Sequence, residues 1–224
     1  MANHLAQHAP PSARRRKARR SYHKGNVARD LLATTARILE TESIEAVSVR
    51  RLARELGVTP ANFYNHFPNM TDILLTLAAE GFDKLAAETR RIMEKSKSRK
   101  EGLVKACVMF VDFAMANKQL FRIMFGQIPD AVSNDKFRAA SDSAFSQLVR
   151  FIYGEGRYDP SNLMASHLHA KAAYALFSLV YGLARNIIED QFQFETGTKA
   201  EIRRFVEEVI GTFVDGTAAE LFID

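Results

Sequence analysis

Apolar residues recur at three- and four-residue intervals from about residue 27 almost to the end of the chain, with no strand-like alternation and no internal repeat. The pattern predicts an all-α protein. A first helix is expected over 27–41, with Ala28, Leu31, Leu32, Thr35 and Leu39 on one face. Two short helices follow over 49–56 and 60–66, and Pro68 stops the second. Asn69, with Asp72 three residues on, opens a long helix over 70–95. A polar run at 95–100 marks a turn. Beyond it, the period predicts helices over 101–117, 120–126, 135–153 and 161–190, with loops at 129–134 and 154–160. Thr198 and Glu201 form a T-x-x-E capping box for a last helix to about 221.

The stretch 48–67, S-V-R-R-L-A-R-E-L-G-V-T-P-A-N-F-Y-N-H-F, carries the densest signal. Leu52, Leu56 and Val58 are apolar at helical spacing, as are Phe63 and Phe67 beyond the turn. Ala53 sits where a side chain larger than methyl would hold the two helices apart. Gly57 falls where the chain leaves the first helix, a position that often needs positive φ. Ser48 and Thr59 offer hydroxyl caps, and Pro60 takes the first helical position, where a missing N–H costs nothing. This is a helix-turn-helix, and its second helix begins with small, polar groups suited to base edges.

Composition bounds the rest. At 224 residues, 47% hydrophobic and 25% charged, the chain can hold one large domain or two modest ones. A single cysteine, Cys107, cannot form an intramolecular disulfide, and its setting in K-A-C-V-M-F suits a packing residue. The N-terminus lacks the apolar core of a secretion signal. The most apolar stretch, 174–184, is too short to span a bilayer, so no membrane partner is expected.

Charge changes the picture more. The net +5 is a local property, because Arg14, Arg15, Arg16, Lys17, Arg19, Arg20 and Lys24 come with no acid among them. Without those seven, 24 basic residues face 26 acidic ones, a net −2. An arginine-rich, acid-free start also fits a transit peptide, and a solvated arm is the plainest alternative. Its place directly before a helix-turn-helix favours contact with phosphates or a minor groove. The domain plan is therefore a disordered basic arm at 1–24, a three-helix DNA-binding domain at 25–70, and a helical bundle at 71–224.

These residues resemble the TetR (tetracycline-repressor-like) family of bacterial transcription regulators. V-S-V-R-R-L-A-R-E-L-G-V is similar to the family's second helix and turn, and F-Y-N-H-F at 63–67 to its L-Y-x-H-F ending. The C-terminal part resembles a subgroup in which L-F-R-x-M-F-G precedes the sixth helix, as at 120–126, and W-x-x-x-H-G follows later. Here Phe177 and Tyr181 stand in for the tryptophan and histidine, keeping ring volume but losing a polar group. The resemblance implies a cytoplasmic, nucleoid-associated bacterial homodimer that binds a palindromic operator in double-stranded DNA. It also implies that the bundle at 71–224 is the effector-binding and dimerisation domain, with a cavity for a small-molecule effector that controls repression or activation.

Candidate DNA contacts follow. Arg50 is placed to reach a guanine or phosphate, Asn62 to bond adenine, and Pro60 and Ala61 to touch thymine methyls, with Thr59 beside them. Tyr64 and His66 are expected at phosphates, and Asn65 at backbone or base. Met70 stands where the family usually has a phosphate-binding lysine. For the effector, Met109, Phe110, Phe113, Met124, Phe125, Phe145, Tyr174, Phe177 and Tyr181 form an aromatic and methionine-rich set suited to an apolar or aromatic ligand. Few charges lie among them, which weighs against a highly charged one. His167 and His169 are two residues apart and point to different helix faces, so no metal or other cofactor is expected. Surplus apolar residues on the last two helices suit a two-fold four-helix interface. No nucleophile–base pair or phosphate loop supports the alternative of a helical enzyme carrying a helix-turn-helix. A ligand-independent regulator, its cavity filled by its own aromatics, remains the other alternative.

From 25 to 70, five basic residues (Arg29, Arg37, Arg50, Arg51, Arg54) balance five acidic ones (Asp30, Glu40, Glu42, Glu45, Glu55), so the arm is expected to provide much of the salt-dependent affinity. Deleting residues 1–24 should weaken binding to all DNA and flatten the salt dependence by about 0.9 log units for each phosphate that the arm neutralises. Salt titrations of the full and truncated proteins check this, and an unchanged slope would overturn it.

Overall fold

A computed structural model describes residues 26–128, 131–153, 171–191 and 197–216. Within them lie helices α1 (Val27–Thr41), α2 (Val49–Leu56), α3 (Pro60–Tyr64), α4 (Met70–Lys95), α5 (Arg99–Ala116), α6 (Lys118–Phe125), α7 (Asp135–Tyr153), α8 (Lys171–Ile188) and α9 (Lys199–Gly216). Single 3-10 turns fall at Ile44–Ala46 and Ala131–Ser133. No strand occurs among the described residues, and no helix there is long and apolar enough to cross a membrane. The basic arm, His167, His169 and the start of the helix expected from 161 lie outside the described residues.

Local chemistry accounts for most helix ends. Ser48, Thr59 and Asn69 each accept a hydrogen bond from the backbone N–H three residues on, at 3.3, 3.3 and 2.9 Å. Thr198 and Glu201 close a reciprocal capping box, with 2.7 Å from the Thr198 N–H to the carboxylate and 3.3 Å from the Glu201 N–H to the hydroxyl. Several boundaries shift by one or two residues, as at Lys118 rather than 120 for α6, and two of the shifts have a local cause. The fifth helix starts at Arg99 rather than 101 because Ser98 caps the Glu101 N–H while Glu101 accepts from the Lys97 N–H. That S-x-x-E box was present in the polar run that reads as a turn. The third helix ends at Tyr64 rather than 66, since the N–H groups of His66 and Phe67 both converge on the Phe63 carbonyl at 3.0 Å.

Two hydrophobic clusters meet on α5 and α6, where Phe110, Phe113 and Phe125 pack against both. The first joins Leu31, Ile38, Leu52 and Phe63 of α1–α3 to Ile73, Leu77, Ala78, Phe82 and Leu85 of α4, and takes in Ile123 and Met124 of α6. The second is built from α5, α7, α8 and α9, where Ile202, Val206, Ile210 and Val214 form one buried stripe against α5. Arg203–Asp112 and Lys100–Asp215 ion pairs reinforce that α5–α9 seam. Helices α4 and α7 run parallel: Phe82, halfway along α4, meets Phe137 near the start of α7, with ring centroids 5.6 Å apart, and Ser96 and Phe151 both close on Gly102 near their ends. Packing therefore continues across residue 70, and α4 physically joins the reading head to the bundle.

Gly57 has φ 70° and ψ 29°, and a Cβ there would meet nothing within 4 Å. The cost of a side chain is thus backbone strain alone, about 1 kcal/mol. Gly57→Ala is expected to lower the unfolding free energy by about that amount in urea titration, and unchanged stability would contradict the assignment.

Candidate nucleic-acid interface and ligand cavity

The helix-turn-helix is held from below by Phe63, which is fully buried, and Phe67, whose ring lies 5.9 Å from it. Burying each such ring contributes on the order of 2–3 kcal/mol. The Val58 N–H bonds the Ala53 carbonyl at 2.9 Å, closing the turn that sets α3 against α2. With those rings inward, α3 turns its short polar face out. Thr59, Pro60, Ala61, Asn65 and His66 are exposed, and Tyr64 is 57% exposed with its edge against Phe63. Arg50 is exposed at the start of α2. Met70 does not face outward as a lysine would; it packs half-buried against the head's core.

Asn62 departs from a simple outward-facing contact. It is half-buried, and its Oδ1 is buried with no hydrogen-bond partner among the described residues. An orphaned carbonyl of this kind costs about 1–3 kcal/mol.

A network on the head's far flank involves Arg51. Its guanidinium meets Glu42 at 2.6 and 2.7 Å, Glu55 at 2.9 Å and the Ala46 carbonyl at 3.2 Å, while Arg37 also pairs with Glu55. Hydrogen bonds from Arg51 hold both carboxyls below the usual range. Their contribution to stability is present above the ordinary carboxylate pKa and is lost as pH falls through the lowered one.

The bundle holds a partly open cavity of about 560 Å³ between α4, α5, α6, α7 and α8. Five of the nine expected ligand residues line it: Phe110, Met124, Phe125, Phe145 and Phe177. The other four are not on its wall. Tyr181 stacks behind Phe177 at 5.8 Å and Phe125 at 5.4 Å, and Tyr174 backs Phe145 at 4.7 Å. Met109 and Phe113 pack into the layer joining the two cores. Sequence reasoning missed the α4 wall (Phe82, Leu85, Thr89) and, apart from Phe145, the α7 wall (Phe137, Ser141, Leu148). Helix α4 reads as the head's partner, and only the parallel run of α4 beside α7 exposes its second use.

Among the described residues no charged side chain lines the cavity, and Thr89, Gln127, Ser141 and Cys107 are its polar points. Burial pushes the Cys107 thiol up to about 12, so it stays protonated at neutral pH. Just outside, Arg122 of α6 grips Glu189, beyond the end of α8, by two hydrogen bonds of 3.0 and 2.9 Å. Arg122 holds that carboxyl low, assisted by Arg185 and Lys118. At the α4–α6 crossing, a Cβ on Gly81 would lie 2.5 Å from the Met124 Sδ, so only glycine permits this approach without Met124 moving.

A helix-turn-helix head sharing a helix with a cavity-bearing bundle defines a transcription regulator of the one-chain kind. Residues 31–77 match the family described as bacterial regulatory proteins, tetR family, and residues 103–213 match the tetracyclin repressor-like C-terminal domain. The chain belongs to the TetR family of transcription regulators. It is 27% identical over 127 residues to the nucleoid occlusion factor SlmA of Idiomarina loihiensis, a match spanning 56% of this chain and 63% of that protein, less than two thirds of its length. A protein of unknown function from Rhodococcus sp. RHA1 is similar in structure, with TM-score 0.67 and 25% identity over 87% of this chain and 98% of that one. The fold is also that of TetR-Q116A from Acinetobacter baumannii AYE in complex with minocycline, with TM-score 0.56 and 18% identity over 86% and 97% of the two chains.

Replacing Asn62 with Ala removes the orphaned carbonyl and any adenine bond together. Asn62→Ala is expected to stabilise the free protein by about 1 kcal/mol in urea titration while weakening binding to the operator. A destabilised variant would show that the amide is satisfied in the free protein.

Proposed function

We propose that the protein is a ligand-responsive repressor, a homodimer that releases a palindromic operator when a small, uncharged apolar or aromatic molecule fills the cavity. The observation that carries this is the wall itself: mostly aromatic and aliphatic, dotted with neutral polar groups and, among the described residues, free of charge. A volume of about 560 Å³ lies within the range of small-molecule sites. Bringing an ionised group there would cost several kcal/mol, with no counter-charge among the described wall residues to offset it. The minocycline held by the A. baumannii relative supports a small molecule as the controlling partner in this fold.

On DNA, the reading assigns direct base contact to Pro60, Ala61 and Asn62 with Thr59, a guanine or phosphate contact to Arg50, a backbone or base contact to Asn65, and positioning on the backbone to Tyr64 and His66. Dimerisation falls to α8 and α9. Their half-buried Leu179, Leu183 and Phe213 lie over the core, and Phe205 is 41% exposed. A two-fold axis there would set two α3 helices into successive major grooves about one turn apart. The protein acts in the bacterial cytoplasm on the nucleoid, by binding rather than by turnover.

The test pairs a thermal-shift screen of neutral aromatic and aliphatic compounds with gel-shift assays on the intergenic DNA beside the gene. A ligand at a hundredfold excess over its Kd should add about 2.7 kcal/mol of stability and lower operator affinity. A protein that no compound stabilises, yet which binds the operator, would be the ligand-independent regulator instead.

A further inference from the structure

The reading head has equal numbers of acids and bases, but the structure sorts them unevenly. Arg51 and Glu55, one turn apart on α2, face α1 and its end, where Glu42 and Arg37 complete the four-membered ion-pair network. At 100° per residue, Arg50 and Arg54 lie one turn apart on a second flank of the same helix, centred about 100° round from Arg51 and Glu55. Both are exposed, and no ion pair holds either among the described residues. Glu55 is the sole acid of α2, and it is turned to the first flank. The second flank is therefore purely cationic, although the head as a whole is neutral.

We infer that Arg54 is a phosphate-binding residue, which with Arg50 makes the second flank of α2 a two-point clamp on the DNA backbone. The inference rests on the DNA-binding function proposed for the head. Arg54 is well placed for this because its helix is rigidly joined to α3. Leu52 and Ala53 beside it are buried, and its own carbonyl accepts from the Gly57 N–H at the turn. A guanidinium that belongs to no internal pair brings its full charge to a phosphate, whereas Arg37 and Arg51 arrive already neutralised. Two of the head's five cations are thus withdrawn, and Arg54 becomes one of three left for the duplex. A purely structural role, as a last-turn cation at the negative end of α2, predicts a different signature: reduced stability with no change in salt dependence.

The experiment measures binding of the full chain to a mixed-sequence 30-base-pair duplex and to operator DNA across a salt series. Arg54→Ala should weaken both by the same factor and reduce the salt slope by about 0.9 for each phosphate left without its arginine, doubled in a dimer. Arg54→Lys should restore most of that slope, because a point charge suffices at a phosphate. Arg51→Lys should keep the wild-type slope. A wild-type slope in Arg54→Ala, or an effect confined to urea stability, overturns the inference. Failure of the wild type to bind any duplex would instead overturn the DNA-binding function beneath it.

Discussion

Burial of α4 on two sides is the constraint on which the molecule depends. From Ile73 to Leu85 it completes the core of α1–α3, which is too small to bury its own aromatics alone. Further along, Phe82, Leu85 and Thr89 face the cavity. Gly81 lets α6 cross close enough for Met124 to touch both the head's core and the cavity wall. A close-packed interior passes displacement on rather than absorbing it. The reading head and the cavity therefore cannot be rearranged independently through this helix.

That coupling sets what a molecule in the cavity would have to do. A ligand shifts a conformational balance only as far as it binds the two arrangements unequally. Met124 and Phe125 are the wall residues on α6, and α6 is held at its other face by the Arg122–Glu189 pair. That two-point pair resists sliding of α6 along α8, while Met124, flexible and polarisable, yields easily. Any ligand-driven change would thus be felt first at the α4–α6 crossing, where a thioether and a glycine leave little slack.

The fold was largely legible from periodicity and caps, because helix ends here follow local rules. Ser48, Thr59, Asn69 and Thr198 cap as their side chains dictate, and Gly57 adopts the positive φ that its position requires. The site was half legible. Aromatic richness located α5, α6, α7 and α8 as walls, but composition does not show which side of a ring faces the void. Tyr181 and Tyr174 were expected on the wall and lie behind it. Phe82 and Phe137, far apart in sequence, reach the wall because α4 and α7 run parallel, a tertiary fact without a local signature. The charge balance of the head was countable, but not its sorting, since the Arg51 network depends on how α1 and α2 cross.

That sorting of charge also bears on recognition. Phosphate contacts bind any duplex, whereas base contacts discriminate, and a regulator is useful only through the ratio of the two. Placing Glu42 and Glu55 over Arg51 and Arg37 lowers the head's attraction for arbitrary DNA without touching the outward groups of α3. The ion pairs meanwhile fix the angle between α1 and α2, which locates α3 through the Gly57 turn. The same carboxylates thus reduce indiscriminate charge and stiffen the element that reads sequence. A head built this way depends on shape for specificity and needs its remaining cations placed where they align the duplex rather than merely attract it.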